Sequence, residues 1–71
     1  MPVLVAQGGQ DPLVLLGATE AAVRTRCALG DTVDLRTYAA ADHDSVLDAS
    51  LADTLAFFSS RLDGDTPTSD C

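Results

Sequence analysis

Two side chains of this 71-residue chain are placed alike, and together they could do proton chemistry. Asp11 ends the run Val3-Leu-Val-Ala-Gln-Gly-Gly-Gln-Asp11, and His43 ends Val33-Asp-Leu-Arg-Thr-Tyr-Ala-Ala-Ala-Asp-His43, so each closely follows a hydrophobic, strand-like stretch. A histidine that takes a proton from a hydroxyl nucleophile at one ring nitrogen needs an acid at the other N–H. The acid fixes the tautomer and stabilises the imidazolium that forms. Asp11 and His43 have the right types for acid and base, in the order acid then histidine. The third member of such a triad would stand on a sharp strand-to-helix elbow of the G-x-S-x-G kind. None of Ser45, Ser50, Ser59, Ser60 or Ser69 lies in that motif. Taken singly, a histidine between Asp42 and Asp44 reads as a surface residue, and an aspartate before Pro12 as a turn residue. Their joint placement after consecutive strands is what points to chemistry, because side chains just beyond the carboxyl ends of neighbouring parallel strands meet over one crevice.

The elements that must position the pair follow from pattern. Pro2 to Ala6 is a continuous apolar run, as in a parallel strand covered on both faces, and Gly8 and Gly9 then allow a sharp turn. Thr19 or a neighbour starts a helix through Val23, Cys27 and Leu29, with Gly30 just past its end. Val33, Leu35 and Thr37 alternate with Asp34, Arg36 and Tyr38, as in an outer strand partly exposed on one face. A last helix is predicted from Ser50, with Asp53 three residues on as a variant capping box. Leu51, Leu55, Phe58 and Leu62 make its single apolar stripe. The order β-α-β-α, with a strand-helix-strand unit of this length, calls for a parallel pair and an α/β fold class. Residues 1–62 form the folded part, and 63–71 an acidic, flexible tail that ends in Cys71. Two strands alone leave the first with an open hydrophobic edge, which natural proteins usually avoid. The expectation is that further strands precede Met1.

Composition narrows the function. A chain this short buries only roughly 60% of the surface its unfolded form exposes, so there is one domain at most. With Tyr38, Phe57 and Phe58 as its only aromatics, the core must be mostly Leu, Val and Ala. The formal charge of −7 repels phosphate backbones and argues against nucleic acid as a partner. No run approaches the ~20 apolar residues of a membrane span, and no signal peptide opens the sequence, so the chain as written would stay in the cytoplasm. No cofactor is called for. Asp42, His43 and Asp44 have no recognised metal-ligand spacing. Cys27 and Cys71 have two readings. One is a tether proper to an oxidising compartment; the other is two unrelated thiols, with Cys27 buried as a small hydrophobe.

The segment Pro2-Val-Leu-Val-Ala-Gln-Gly-Gly-Gln-Asp11-Pro-Leu-Val resembles the acid-bearing strand and loop of α/β-hydrolases. Tyr38-Ala-Ala-Ala-Asp-His43 resembles their histidine loop. The chain is most similar to the secretory lipase family, whose corresponding region runs Gln-Gly-x-x-Asp-Pro-Leu-Val, helix, Val-x-x-x-x-Tyr-x-x-x-x-His, closing helix. The resemblance covers nearly all of the chain and implies its C-terminal portion of the fold, the last two parallel strands with their flanking helices. It makes Asp11 the triad acid and His43 the base, and it matches Cys27 and Cys71 to a helix cysteine and a terminal cysteine that pair. It implies a parent that is exported and hydrolyses carboxylic esters of the acylglycerol kind. The partner of this segment is then the missing N-terminal part of the hydrolase domain. Leu15, Leu16 and Ala40 depart from the residues usual at their positions. The alternative is a small acidic, non-catalytic interaction module that adds a partner's strand to its exposed edge.

Overall fold

In a computed structural model describing all 71 residues, the chain runs β1 (Pro2–Gly8), α1 (Leu16–Ala28), β2 (Thr32–Tyr38) and α2 (Val46–Asp63). The strands pair in parallel, from Pro2 beside Thr32 to Gly8 beside Tyr38. Their carboxyl ends are therefore level, and the loops that follow them leave from the same side.

Strand alternation sends successive residues to opposite faces. Val3, Val5 and Val33 line the space under α1 with Thr19 and Val23. Leu4, Asp34 and Arg36 line the space under α2 with Asp53 and Phe57. The result is a helix, sheet, helix sandwich only two strands wide, measuring 35 × 27 × 13 Å. On the α2 side the layer is polar. Arg36 donates two hydrogen bonds to Asp34, at 2.9 and 3.1 Å, and Tyr38 donates one to Asp53 at 2.5 Å.

Apolar burial is slight: only Val23, Val33 and Ala41 are buried hydrophobic residues. The stripe expected to pack, Leu51, Leu55, Phe58 and Leu62, lies in the open, with Leu62 89% exposed. The periodicity is present, but the face turned to this narrow sheet is the one carrying Ser50, Asp53, Thr54 and Phe57. The stripe is thus an unpartnered helix face, continued by exposed Leu47. The start of α2 also differs from expectation. Ser50 is no cap; it is buried inside the helix, and its hydroxyl bonds back to the Leu47 carbonyl. Asp42 fixes the entry instead. Its Oδ1 accepts from the backbone N–H groups of Asp44 and Ser45, while the Ser45 hydroxyl accepts from the Asp42 N–H, a reciprocal box eight residues before the expected one. Helix α1 likewise begins at Leu16, with no side-chain cap, three residues before Thr19. Its end is as expected: Gly30, at φ +94°, follows the C-cap residue Leu29.

The two sheet edges are not equivalent. Beyond Gly64 the chain returns along β2, where Asp70 donates its N–H to the Val33 carbonyl at 2.7 Å and accepts from the Leu35 N–H at 2.6 Å. Cys71 then joins Cys27 of α1 in a disulfide with Cα atoms 5.4 Å apart, which settles the pairing in favour of the tether. The outer edge of β2 is covered by the chain's own end. The outer edge of β1, Pro2 to Ala6, has no partner. No helix is long and apolar enough to cross a membrane.

Candidate active site

The acid loop starts where β1 runs out. At Asp11 the chain turns back on its own side chain: Oδ1 accepts from the N–H groups of Leu13 and Val14, at 2.8 and 2.9 Å. Such a local bond is the usual preference of aspartate before a turn, and Pro12 stiffens the step. Its effect is to fix one carboxylate oxygen to the backbone and aim the other away from it. The histidine loop starts level with it, after Tyr38, and its geometry is set by the Asp42 box one residue before His43.

Glycine brings the two loops together by close approach as well as by the turn expected there, which the Asp11 N–H closes onto the Gly8 carbonyl at 3.3 Å. Neither Gly8 nor Gly9 has a positive φ. A Cβ on Gly8 would instead lie 2.6 Å from the Ala41 carbonyl oxygen and 2.8 Å from that of Asp42, and one on Gly9 would lie 2.8 Å from the Ala39 Cα. Bare backbone lets the histidine loop lie directly on the end of β1. Main-chain bonds from Gly9 N–H to Tyr38 O (2.8 Å) and from Gln10 N–H to Ala41 O (2.9 Å) then stitch the loops together.

The outcome is a contact between the two residues the sequence singled out. His43 Nδ1 lies 2.9 Å from Asp11 Oδ2. An ionised carboxylate can only accept, so Nδ1 carries the proton and Nε2 is left as the acceptor. The Asp11 side chain is 5% exposed and the His43 side chain 51%, so the acid is sheltered while the imidazole reaches solvent. The Val14 N–H, with lesser help from His43 and Leu13, holds the Asp11 carboxyl below its ordinary 3.8, although burial opposes this. The hydrogen bond and charge of Asp11 raise His43 above 6.5, with smaller pushes from Asp44 and Asp42.

The arrangement can orient an imidazole, fix its tautomer and stabilise its cation. It lacks a nucleophile: the only side-chain partner of His43 is Asp11, and Ser45 is engaged with Asp42. No group of three or more His, Cys, Asp or Glu side chains is arranged to hold a metal ion. Sequence reasoning overlooked Gln7, which is buried behind the acid loop, and the Asp42 and Ser45 pair that sets His43. A polar residue closing an apolar strand, and the spacing Asp-x-x-Ser before a helix, were the signals available. Comparison with family models, curated proteins and solved structures finds nothing that matches this chain.

Proposed function

We propose that this chain carries the acid and the histidine of a serine ester hydrolase, with Asp11 and His43 in those roles. The observation that carries the reading is the Asp11 to His43 Nδ1 contact, with the carboxylate pinned by two amides and Nε2 left free. In the reaction, His43 Nε2 takes the proton of a serine hydroxyl as the serine attacks an ester carbonyl, then returns it to the departing alcohol. Asp11 stays ionised and stabilises the imidazolium between these steps. The nucleophile and the donors for the developing oxyanion belong to the remainder of the hydrolase domain, so the 71 residues alone do not turn over. The open edge of β1 and the bare apolar stripe of α2 support this, since both are surfaces that a larger sheet and its neighbouring helices would cover. By its resemblance to secretory lipases, the whole protein is exported and takes carboxylic esters such as acylglycerols.

The test begins with the DNA ahead of the Met1 codon, read for an in-frame G-x-S-x-G elbow and a signal peptide. The longer product should hydrolyse a p-nitrophenyl ester and react with a fluorophosphonate probe, and His43→Ala should lower hydrolysis by roughly 10⁴-fold or more. A longer product whose hydrolysis is untouched by His43→Ala defeats the proposal. The open β1 edge also favours a second reading, a module that receives a partner's strand. Absence of any elbow upstream, with a defined protein partner lost on introducing proline into β1, would favour that module.

A further inference from the structure

We propose that Gln7 is a positioning residue for the acid and histidine pair, tying the Asp11 loop to helix α1 so that the carboxylate stays aimed at His43 Nδ1. This rests on the reading of Asp11 and His43 given above.

Gln7 occupies an α1-facing position of β1, in line with Val3 and Val5, where an apolar residue would be the simple choice. It is 4% exposed. A buried primary amide is costly unless its donors and acceptor are met, and here all are. One amide hydrogen goes to the Gly8 carbonyl at 3.0 Å, the other to the Val14 carbonyl at 2.8 Å, and Oε1 accepts from the Thr19 hydroxyl at 2.5 Å. Gly8 and Val14 bracket the acid turn. The Gly8 carbonyl also accepts from the Asp11 N–H at 3.3 Å, and the Val14 N–H donates to Asp11 Oδ1 at 2.9 Å. One side chain therefore holds both ends of the loop whose only charged member is Asp11, and a helix hydroxyl anchors it in turn. The bonds run without a break from Thr19 through Gln7, Val14 and Asp11 to His43. Leucine at position 7 would fill the space and supply none of these bonds. It would leave the Val14 carbonyl unmet and the loop free to swing its carboxylate away from the imidazole.

His43 is the only histidine, so its ring-proton NMR titration in the disulfide-bonded chain reads the pair without overlap. Asp42 and Asp44, the other charges acting on the ring, are kept in every variant. In the wild type the midpoint should lie above 6.5. Gln7→Leu should remove about half or more of that rise, and Thr19→Val a smaller part. Val23→Ala, which weakens the packing of α1 without touching the hydrogen-bonded chain, should leave the midpoint in place below its unfolding temperature. A wild-type midpoint at 6.5 would overturn the pair itself and this proposal with it. A raised wild-type midpoint unchanged by Gln7→Leu would overturn the positioning role alone. Should Gln7→Leu fail to fold, Thr19→Val decides, an unchanged midpoint counting against the role.

Discussion

Reducing the Cys27–Cys71 disulfide should cost this chain a large part of its stability. The bond links residues 44 apart in sequence, and closing a loop of that length removes unfolded-state entropy worth ~4 kcal/mol near room temperature. A chain of this size has a total stability of roughly 4–11 kcal/mol at the usual per-residue range. The low end is the relevant one, since only three apolar residues are buried. With a urea slope of about 1–2 kcal/mol/M, the midpoint should fall by roughly 2–4 M on reduction. The assay is urea unfolding followed by far-ultraviolet circular dichroism, oxidised against phosphine-reduced, with the double variant Cys27→Ser/Cys71→Ser as a second route to the same state. Asp70→Ala separates the cross-link from the strand-edge bonds that it holds in place. It removes the Leu35 bond while keeping the disulfide, and should cost only about 1 kcal/mol. A reduction effect no larger than that of Asp70→Ala would refute the loop-entropy reasoning. The stability conferred by the tail would then lie in its edge contacts.

The acid and histidine pair should stabilise the fold within a pH window set by its two shifts. His43 is raised above 6.5 by its bond to Asp11, so its contribution is complete below 6.5 and is lost as pH rises through the folded value; Asp11 is lowered below 3.8, so its contribution is complete above 3.8 and is lost as pH falls through the folded value. Thermal midpoints should therefore be highest in weak acid, and His43→Asn should flatten the limb above 6.5; an identical limb in that variant would count against the pair. Tyr38, raised to about 12 by burial and by its bond to Asp53, should show a phenolate absorbance titration near that value, falling toward 10 in Asp53→Asn. A midpoint near 10 in the wild type would contradict the polar layer under α2. Gly8→Ala should cost about 1–3 kcal/mol because the new methyl meets main-chain oxygen, and should pull the His43 titration down as the loops part. A variant as stable as the wild type would mean that the loops do not lie that close.

What the sequence determined by itself was local or pairwise. Element order, the parallel pairing and the placing of Asp11 and His43 after strands of the same direction were legible, because residue alternation and turn chemistry act over a few neighbours. Gly30 was legible for the same reason, as the φ > 0 position after a helix. The tertiary structure decided matters of distance and direction between segments remote in sequence. The glycines at 8 and 9 serve the approach of a loop some thirty residues away, which no local rule for turns can reveal. The stripe Leu51, Leu55, Phe58 and Leu62 has helical period but faces outward, because period identifies a face without saying what lies against it. In the sequence Gln7 merely follows an apolar run; only the fold closes three segments around its amide. The two readings of Cys27 and Cys71 were separated only by the return of the tail along β2, since connectivity depends on where the chain goes and not on where the cysteines stand.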